Sequence, residues 1–266
     1  MTKRNVRAQM RSVIGLAFHV LRKQIQWTLS RNLFSKNLSK QKLDYVVSSH
    51  KTPYLRQLAG VDMQLQYNKI KNLGLAMANL NGLILEPGQR FSFWSLVGNP
   101  ISRKGYIDGL VLKNGEVGVG IGGGLCQMTN LIYWITLHSP LVVVERWRHG
   151  YDVFPDVKRS QPFGCGATCS YPNVDLVIEN PTTSRYQLSL TSSDTHLLGS
   201  WLSDEEISFR YTVREESSII DQDVTGVYHR KNRLVRDVYD KKSGELSATE
   251  FVTENDAKMM YQPFLD

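Results

Sequence analysis

The chain has 266 residues, 41% of them apolar, a size that allows one large domain with appendages or two small ones. Its net charge of +7 is unevenly placed: 11 of the 32 basic residues but one of the 25 acidic residues precede residue 52. Proteins that bind nucleic acids carry their basic residues on the surface of a folded domain. Because the excess of basic residues here lies in the N-terminal arm, we expect no nucleic-acid partner. Three cysteines, an odd number, do not make a disulfide framework.

Residues 1–36 are predicted to form a basic amphipathic helix. The apolar residues at helical spacing are Val6, Met10, Val13, Ala17, Leu21 and Ile25. The longest uncharged run, residues 12–21, has about half of the roughly 20 residues that a membrane span needs. "RKQIQW" follows where a signal peptide would have its cleavage site. We therefore expect a cytoplasmic protein with neither signal peptide nor transmembrane helix. The helix either contacts anionic lipid peripherally or packs on its own domain.

The next elements alternate helix with short strands. A looser segment, residues 35–54, precedes a helix over residues 61–80, and Asn81-Gly82 supply its stop. Its expected buried stripe is Met63, Tyr67, Ile70, Leu73, Met77 and Leu80. The strand "LIL" then meets the turn "EPGQ", after which "RFSF" alternates in the manner of a strand. Glycines at short intervals up to Gly120 favour turns and loops.

The remainder is predicted to be β-rich around one inserted helix. That helix runs from Cys126 to His138, and "LVVVERWRHGYDVF" follows it as a strand. A later hairpin turns at residues 242–244. The fold class is therefore α+β: N-terminal helices, then a mostly antiparallel β-rich domain with one helix inserted after a Gly-rich loop. We divide the chain into a basic arm (residues 1–51), a central domain (52–204) and a β-rich extension (205–266).

The stretch "GIGGGLCQMTN", residues 120–130, is the strongest candidate for chemistry. Its glycines allow close backbone approach, and a cysteine at a helix N-terminus has its thiolate stabilised by the helix dipole. The N–H groups of Gly124 or Gln127, with the Gln127 side chain, could receive an oxyanion, and Thr129 adds a hydroxyl near the substrate. The alternative is that Cys126 packs as a small buried hydrophobe.

His149 is the best candidate base for that cysteine. His138 lies about 18 Å along the same helix and is excluded. A continuous strand would place Glu145, Trp147, His149 and Tyr151 on one face, the wall of a cleft that binds substrate. Arg146 and Arg148 would lie on the other face, unless a bulge aims one at a substrate carboxylate. An orienting carboxylate for His149 must come from elsewhere, and Asp152 and Asp175 are the candidates.

Cys165 and Cys169 lie in "FGCGATCSYP". In an extended chain their Cα atoms are about 13 Å apart, beyond the roughly 7 Å limit for a disulfide. With Cys126 and His149 they could in principle complete a zinc site, but the spacing is not a standard zinc pair. We expect buried structural thiols, no metal and no cofactor.

Five segments together resemble the VanW family, over about residues 61–200. They are "LNGLILEPGQRFSFWSLVG", "GYIDGL", "GGGLCQMTNLIYWITLHSPL", "VVVERWRHG" and "VDLVIEN". The resemblance implies a non-standard L,D-transpeptidase, with Cys126 as nucleophile and His149 as base, acting on a cell-wall peptide or precursor. The family's common Gly-x-Asp-Ala-Thr-Val stretch aligns with residues 164–169, where this chain lacks the acid, and its Ser-Thr pair is replaced by Thr129-Asn130.

Three functions remain open from the sequence. The first is a cysteine acyltransferase or peptidase linked to peptidoglycan and glycopeptide resistance. The second is a non-catalytic module that recognises a cell-wall peptide or an antibiotic-related ligand through the same cleft. The third is a metal-stabilised structural domain. The sequence favours the first and leaves the oligomeric state open.

Overall fold

Helix α1 (Lys3–Leu29) begins the chain in the computed structural model, which describes residues 3–55, 62–113, 116–153 and 161–263. Three further helices follow: α2 (Met63–Ala78), the short α3 (Phe93–Val97) and α4 (Cys126–Leu137). Within these described ranges, no helix has both the length and the apolar content that crossing a bilayer requires.

The strands form four sheets across the described parts of the chain. In chain order they are β1 (Tyr45–Pro53), β2 (Leu83–Leu85), β3 (Arg90–Ser92), β4 (Asp108–Lys113), β5 (Glu116–Ile121), β6 (Val142–Glu145), β7 (Tyr151–Asp152), β8 (Val177–Glu179), β9 (Tyr186–Ser192), β10 (His196–Ser203), β11 (Phe209–Gln222), β12 (Tyr228–Asp240) and β13 (Leu246–Met259). The sheet orders are β1-β10-β9-β2, β11-β12-β13-β7, β3-β8-β6 and β4-β5. All strand pairs are antiparallel except β13 with β7, so the predicted α+β class is confirmed.

Helix α4 packs on the β1-β10-β9-β2 sheet and forms the centre of the core. Its buried side chains include Met128, Leu131 and Ile132, each of which contributes about 1.5–3 kcal/mol on burial. Two hydrogen bonds fix the helix to the sheet: Trp201 Nε1 donates to Thr136 Oγ1 at 2.9 Å, and Ser48 Oγ donates to the Ile135 carbonyl at 2.7 Å. The N-terminus of α4 is therefore held at a defined place and angle.

The C-terminal sheet is built from two long hairpins. Strands β11 and β12 pair over nearly their full length, and β12 pairs with β13 in the same way. The predicted turn at residues 242–244 is confirmed: Gly244 has φ +73°, and the Asp240 N–H donates to the Glu245 carbonyl at 3.0 Å.

Two predictions about individual strands were wrong. The segment expected to be loose contains β1, which pairs with β10 and spans the domain boundary predicted at residue 51. The strand expected over residues 141–154 is broken: β6 ends at Glu145 after a register shift, and β7 begins at Tyr151.

The segment after the "EPGQ" turn begins as the expected strand and then continues as a short helix. Strand β3 ends at Ser92, whose hydroxyl accepts the Ser95 N–H and so caps α3.

The buried face of α2 includes most of the predicted apolar stripe and extends beyond it. Leu73 and Leu80 are buried and Ile70 and Met77 pack against the core, whereas Tyr67, expected to be buried, is 52% exposed. The further buried residues of the helix are Gln66, Lys69, Asn72 and Ala76. Three of these four are polar, because this face of α2 packs against the glycine-rich loop that leads to α4.

Candidate active site

The glycine-rich loop is held by direct backbone contact with the β4–β5 hairpin. A Cβ atom on Gly123 would lie 2.2 Å from the carbonyl carbon of Gly109, a distance that real side chains do not tolerate. Gly122 and Gly124 have φ values of +75° and +91°, which side chains rarely adopt. The loop sequence is therefore dictated by both packing and backbone conformation.

Helix α2 supports the loop from the other side. The fully buried Asn72 donates from Nδ2 to the Gly123 carbonyl at 3.0 Å and to the Ile107 carbonyl at 2.9 Å, and its Oδ1 accepts the Ile107 N–H at 3.0 Å. The aliphatic stem of Lys69 lies where a Cβ on Gly124 would be, while its Nζ donates to Gln66 Oε1 at 2.9 Å. These contacts make the loop a rigid approach to α4.

Cys126 is the first residue of α4. In the described ranges, no group accepts a hydrogen bond from the backbone N–H of Gly124, Leu125 or Cys126. These N–H groups belong to the positive end of the helix, which favours negative charge on the sulfur and on an adjacent oxyanion.

The Cys126 sulfur is surrounded by hydrogen-bond donors from the segment at residues 168–169. Thr168 Oγ1 lies at 3.4 Å, the Cys169 N–H donates over 3.5 Å, and the Cys169 thiol donates over 3.8 Å. When protonated, Cys126 can instead donate to the Cys169 carbonyl at 3.7 Å. The donors around the sulfur therefore stabilise a negative charge on it.

The pKa values of the two thiols are shifted in opposite directions. The Cys169 thiol hydrogen bond lowers the pKa of Cys126 well below its usual range; burial opposes this, while His149, Thr168 and the Cys169 N–H assist it. Burial, and then the hydrogen bond to Cys126, raise the pKa of Cys169 well above its usual range. Since the helix N-terminus also faces Cys126, the thiolate forms there and the proton stays on Cys169.

His149 reaches the cysteine through a hydroxyl. Its Nε2 lies 2.8 Å from Thr168 Oγ1, the same oxygen that contacts the Cys126 sulfur. The Thr168 N–H donates to the Trp147 carbonyl at 2.8 Å, which fixes the segment beside the histidine. The arrangement is a Cys–Thr–His relay able to move a proton between sulfur and imidazole.

Among the described residues, no carboxylate forms a hydrogen bond with His149. The two candidates lie elsewhere: Asp152 accepts from the Tyr261 hydroxyl at 2.9 Å, and Asp175 accepts from the Ser92 hydroxyl at 2.6 Å. Asp175 also accepts the Trp94 N–H at 3.1 Å, and burial raises its pKa to about 6. Asp175 therefore supports the start of α3 rather than orienting the histidine.

Gln127 and Thr129, predicted to face substrate, form contacts within the protein. The Gln127 backbone N–H donates to the Gly124 carbonyl at 3.1 Å, and its Nε2 donates to the Pro53 carbonyl at 2.8 Å. The buried Thr129 hydroxyl contacts the Ala167 carbonyl at 2.6 Å and the Cys126 carbonyl at 3.1 Å. Thr129 thus fixes the segment that carries Thr168 against the first turn of α4.

Glu145, Arg146 and Arg148 also have partners within the chain. Glu145 accepts from Lys23 Nζ at 3.3 Å and from Trp147 Nε1 at 2.8 Å. Arg146 donates from Nε to the Gly166 carbonyl at 2.8 Å and from Nη2 to the Gly164 carbonyl. The Arg148 guanidinium lies 4.3 Å from the ring centre of Phe163. The two arginines thereby hold the segment at residues 163–166.

Sequence reasoning did not place Thr168 or Asn72 at the site, and it interpreted Cys169 as a buried structural thiol or a zinc ligand, whereas Cys169 is partly exposed beside Cys126. A signal existed for Thr168, since the family stretch aligned with residues 164–169 keeps a threonine there. The sequence holds no comparable signal for Asn72, because α2 also carries Gln64, Gln66, Asn68, Lys69 and Lys71. The described parts of the chain contain no cluster of three or more His, Cys, Asp or Glu side chains that could hold a metal.

Comparison with known proteins identifies the family. The family model described as "VanW like protein" matches residues 68–202. The Vancomycin B-type resistance protein VanW of Enterococcus faecalis (strain ATCC 700802 / V583) is 31% identical over 228 residues, which cover 86% of this chain and 82% of that protein. The Uncharacterized protein YoaR of Bacillus subtilis (strain 168) is 30% identical over 109 residues, which cover 41% of this chain and 34% of that protein. No solved structure matches the chain. The chain belongs to the VanW family.

Proposed function

We propose that this chain is a cysteine-dependent acyltransferase of the L,D-transpeptidase type that acts on cell-wall peptides. The observation that carries the proposal is the Cys–Thr–His relay: the Cys126 sulfur lies 3.4 Å from the Thr168 hydroxyl, which lies 2.8 Å from His149 Nε2. A nucleophile with lowered pKa, a base within reach and a helix N-terminus beside both are the components that acyl transfer needs.

In the proposed reaction, the Cys126 thiolate attacks a peptide carbonyl and forms a C–S bond. The backbone N–H groups of Gly124 and Cys126 stabilise the resulting oxyanion. The C–N bond then breaks, and the leaving amine takes a proton from His149 through Thr168, leaving a thioester. An acceptor amine attacks that thioester, gives its proton back to His149 along the same route, and releases the new amide and the thiolate.

We extend the link with glycopeptide resistance to this chain from its Enterococcus faecalis relative, which is named for vancomycin resistance. An enzyme that changes which amine is joined to a stem peptide alters the cell-wall peptides present. The relatedness over 86% of this chain supports the same physiological setting here.

We infer that α1 contacts an anionic membrane surface, on the cytoplasmic side, where a peptidoglycan precursor would be the substrate. Its outward face exposes Phe18, Leu21, Ile25 and Leu29, which lie within one narrow stripe of the helix. The opposite face carries Trp27, which packs on the core, and Lys23, which pairs with Glu145. An apolar stripe on a helix rich in Lys and Arg is typical of interfacial helices.

Vesicle sedimentation tests the membrane contact. The protein should sediment with vesicles that contain phosphatidylglycerol and remain free of vesicles of phosphatidylcholine alone. The double variant Leu21→Glu, Ile25→Glu should lose sedimentation, and the double variant Gln24→Glu, Gln26→Glu, which adds the same charge at exposed polar positions, is the matched control. Equal sedimentation of the double variant would contradict the inference.

Intact-mass measurement tests the acyl transfer. A synthetic stem tetrapeptide with a C-terminal D-alanine should leave an adduct of the tripeptidyl mass on Cys126, and Cys126→Ala should carry none. Addition of an amine acceptor should discharge the adduct. If the peptide binds but neither adduct nor product forms, the chain is a binding module rather than a transferase.

A further inference from the structure

The site contains a second thiol that the proposed acyl transfer does not consume. Cys169 Sγ lies 3.8 Å from Cys126 Sγ, and both cysteines are partly exposed. The third cysteine, Cys165, is buried.

We propose that Cys126 and Cys169 form a reversible disulfide, with Cys126 as the thiol that reacts with peroxide and Cys169 as the thiol that resolves it. A disulfide has an S–S distance of about 2.05 Å, so the two sulfurs must approach by less than 2 Å. Rotation about the two Cα–Cβ bonds moves sulfur atoms over such a distance.

Neighbouring contacts keep the two thiols together. The Thr129 hydroxyl holds the Ala167 carbonyl at 2.6 Å, and Asn130 Oδ1 accepts the Ala167 N–H at 2.6 Å. On the other side, the Thr168 N–H donates to Trp147. Because Cys169 directly follows this fixed segment, its thiol stays beside the start of α4.

The oxidant is a hydroperoxide, and the steps balance. The Cys126 thiolate attacks one oxygen of hydrogen peroxide, an S–O bond forms, the O–O bond breaks, and the departing hydroxide becomes water by taking the proton that the Cys126 thiol released. Cys169 then attacks the sulfenic sulfur of Cys126, the S–S bond forms, and the S–O bond breaks. The departing oxygen leaves as water with the Cys169 proton. One peroxide is reduced to two waters and two thiols are oxidised to one disulfide.

The consequence for catalysis rests on the proposed function. A disulfide removes the sulfur that would attack the peptide, so oxidation would stop acyl transfer and a thiol reductant would restore it. It also protects Cys126, since a sulfenic acid without a resolving thiol is oxidised further to irreversible acids. Disulfide formation itself requires no wall peptide and is independent of acyl transfer.

Peptide mapping of the full chain tests the proposal. Reduced protein is treated with a small excess of hydrogen peroxide, unfolded in guanidinium chloride so that every remaining thiol is accessible, blocked with iodoacetamide and digested with trypsin without reductant. No Lys or Arg separates Cys165 from Cys169, so trypsin leaves both on one peptide. The Cys165→Ser variant therefore identifies the partner of Cys126, and it should form the disulfide as the natural chain does.

The expected result is a fall from three alkylatable thiols to one, with Cys126 joined to Cys169 and full recovery in dithiothreitol. In Cys169→Ser, Cys126 should instead accumulate sulfinic and sulfonic acid that dithiothreitol does not reverse. Three free thiols, a bond to Cys165, or over-oxidation of Cys126 in the natural chain would overturn the proposal. Because no peptide substrate is present, failure here is separate from failure of acyl transfer.

Discussion

The region around Cys126 and the C-terminal sheet of β11, β12 and β13 are held together by different kinds of contact. Segments far apart in the sequence meet at Cys126, among them α2, the β4–β5 hairpin and residues 167–169, through buried backbone contacts. The C-terminal strands pair with their neighbours in sequence, and ion pairs such as Arg233 with Glu254 cross the sheet at its surface. The two regions should therefore respond very differently to small changes.

The largest expected effect comes from adding one methyl group at Gly123. Its φ is not in the left-handed region, so the cost of Gly123→Ala is a clash with Gly109, and we expect the free energy of unfolding to fall by about 3 kcal/mol or more. The matched change in the C-terminal sheet is Gly244→Ala, where φ is +73° and nothing lies within 4 Å. It should cost only about 1–2 kcal/mol. Urea unfolding measures the loss of unfolding free energy in each variant. Equal losses would contradict the expected difference between the two regions.

Protonation of Asp175, which lies near the site, should make the free energy of unfolding depend on pH by a comparable amount. Burial raises its folded-state pKa to about 6, above an unfolded value near 4. The folded state holds the proton more tightly, so this contribution to stability is complete below pH 4 and is lost as the pH rises through 6. The loss is about 3 kcal/mol.

The Asp175→Asn variant isolates that contribution, because its side chain keeps the shape and lacks the titration. Urea unfolding from pH 4 to pH 7 should show the variant gaining stability relative to the natural chain as the pH rises. A difference that stays constant over this range would contradict the assignment.

A smaller effect is expected from removal of the hydroxyl that links the two reactive side chains. Thr168→Val keeps the shape and the backbone N–H but takes a donor from the Cys126 thiolate. We expect alkylation of Cys126 by iodoacetamide at pH 6 to slow by about tenfold, because one hydrogen bond to a charged group contributes about 1.5 kcal/mol. Thr168→Ser retains the hydroxyl and should react at nearly the natural rate. Equal alkylation rates for the valine and serine variants would show that the Thr168 hydroxyl does not act in the relay.

The smallest effect is expected at the surface of the C-terminal sheet. Glu254→Gln breaks the ion pair with Arg233, in which the Arg233 and Glu254 side chains are 44% and 64% exposed. Water and salt screen such pairs, so we expect the unfolding free energy to change by less than about 1 kcal/mol. Thermal unfolding at low and high salt checks this, and a loss as large as that of Gly123→Ala would contradict the contrast between the regions.

The sequence allowed the local elements to be predicted but only part of the site. The inserted helix beginning at Cys126 and the hairpin at residues 242–244 follow from glycine placement and apolar periodicity, which act over a few residues. The polar part of the buried face of α2 could not be obtained in this way, because Lys69 and Asn72 are buried by contact with a loop about 50 residues away. Apolar periodicity cannot indicate a polar face whose partners lie so far along the chain.

The same limit applies to the relay. Cys126 and His149 could be proposed from their residue types, but Thr168 and Cys169 reach the site only because Thr129 and Trp147 bind the intervening segment. The expected strand through His149 is interrupted because its parts pair with different segments: β6 with β8, Trp147 with Thr168 in an isolated antiparallel bridge, and β7 with β13. Contacts of this kind join segments far apart in the sequence and leave no periodic signal.

The central claim is that Cys126 is an activated thiolate, and site-resolved alkylation tests it most directly. Native protein is treated with iodoacetamide from pH 5 to pH 9, and the labelled peptides are quantified, with His149→Ala in parallel. We expect Cys126 to react well below the usual thiol range near pH 8.5, and more slowly in the variant, while Cys169 stays unlabelled. If Cys126 reacts only at high pH, or reacts equally without His149, the account of the site is wrong.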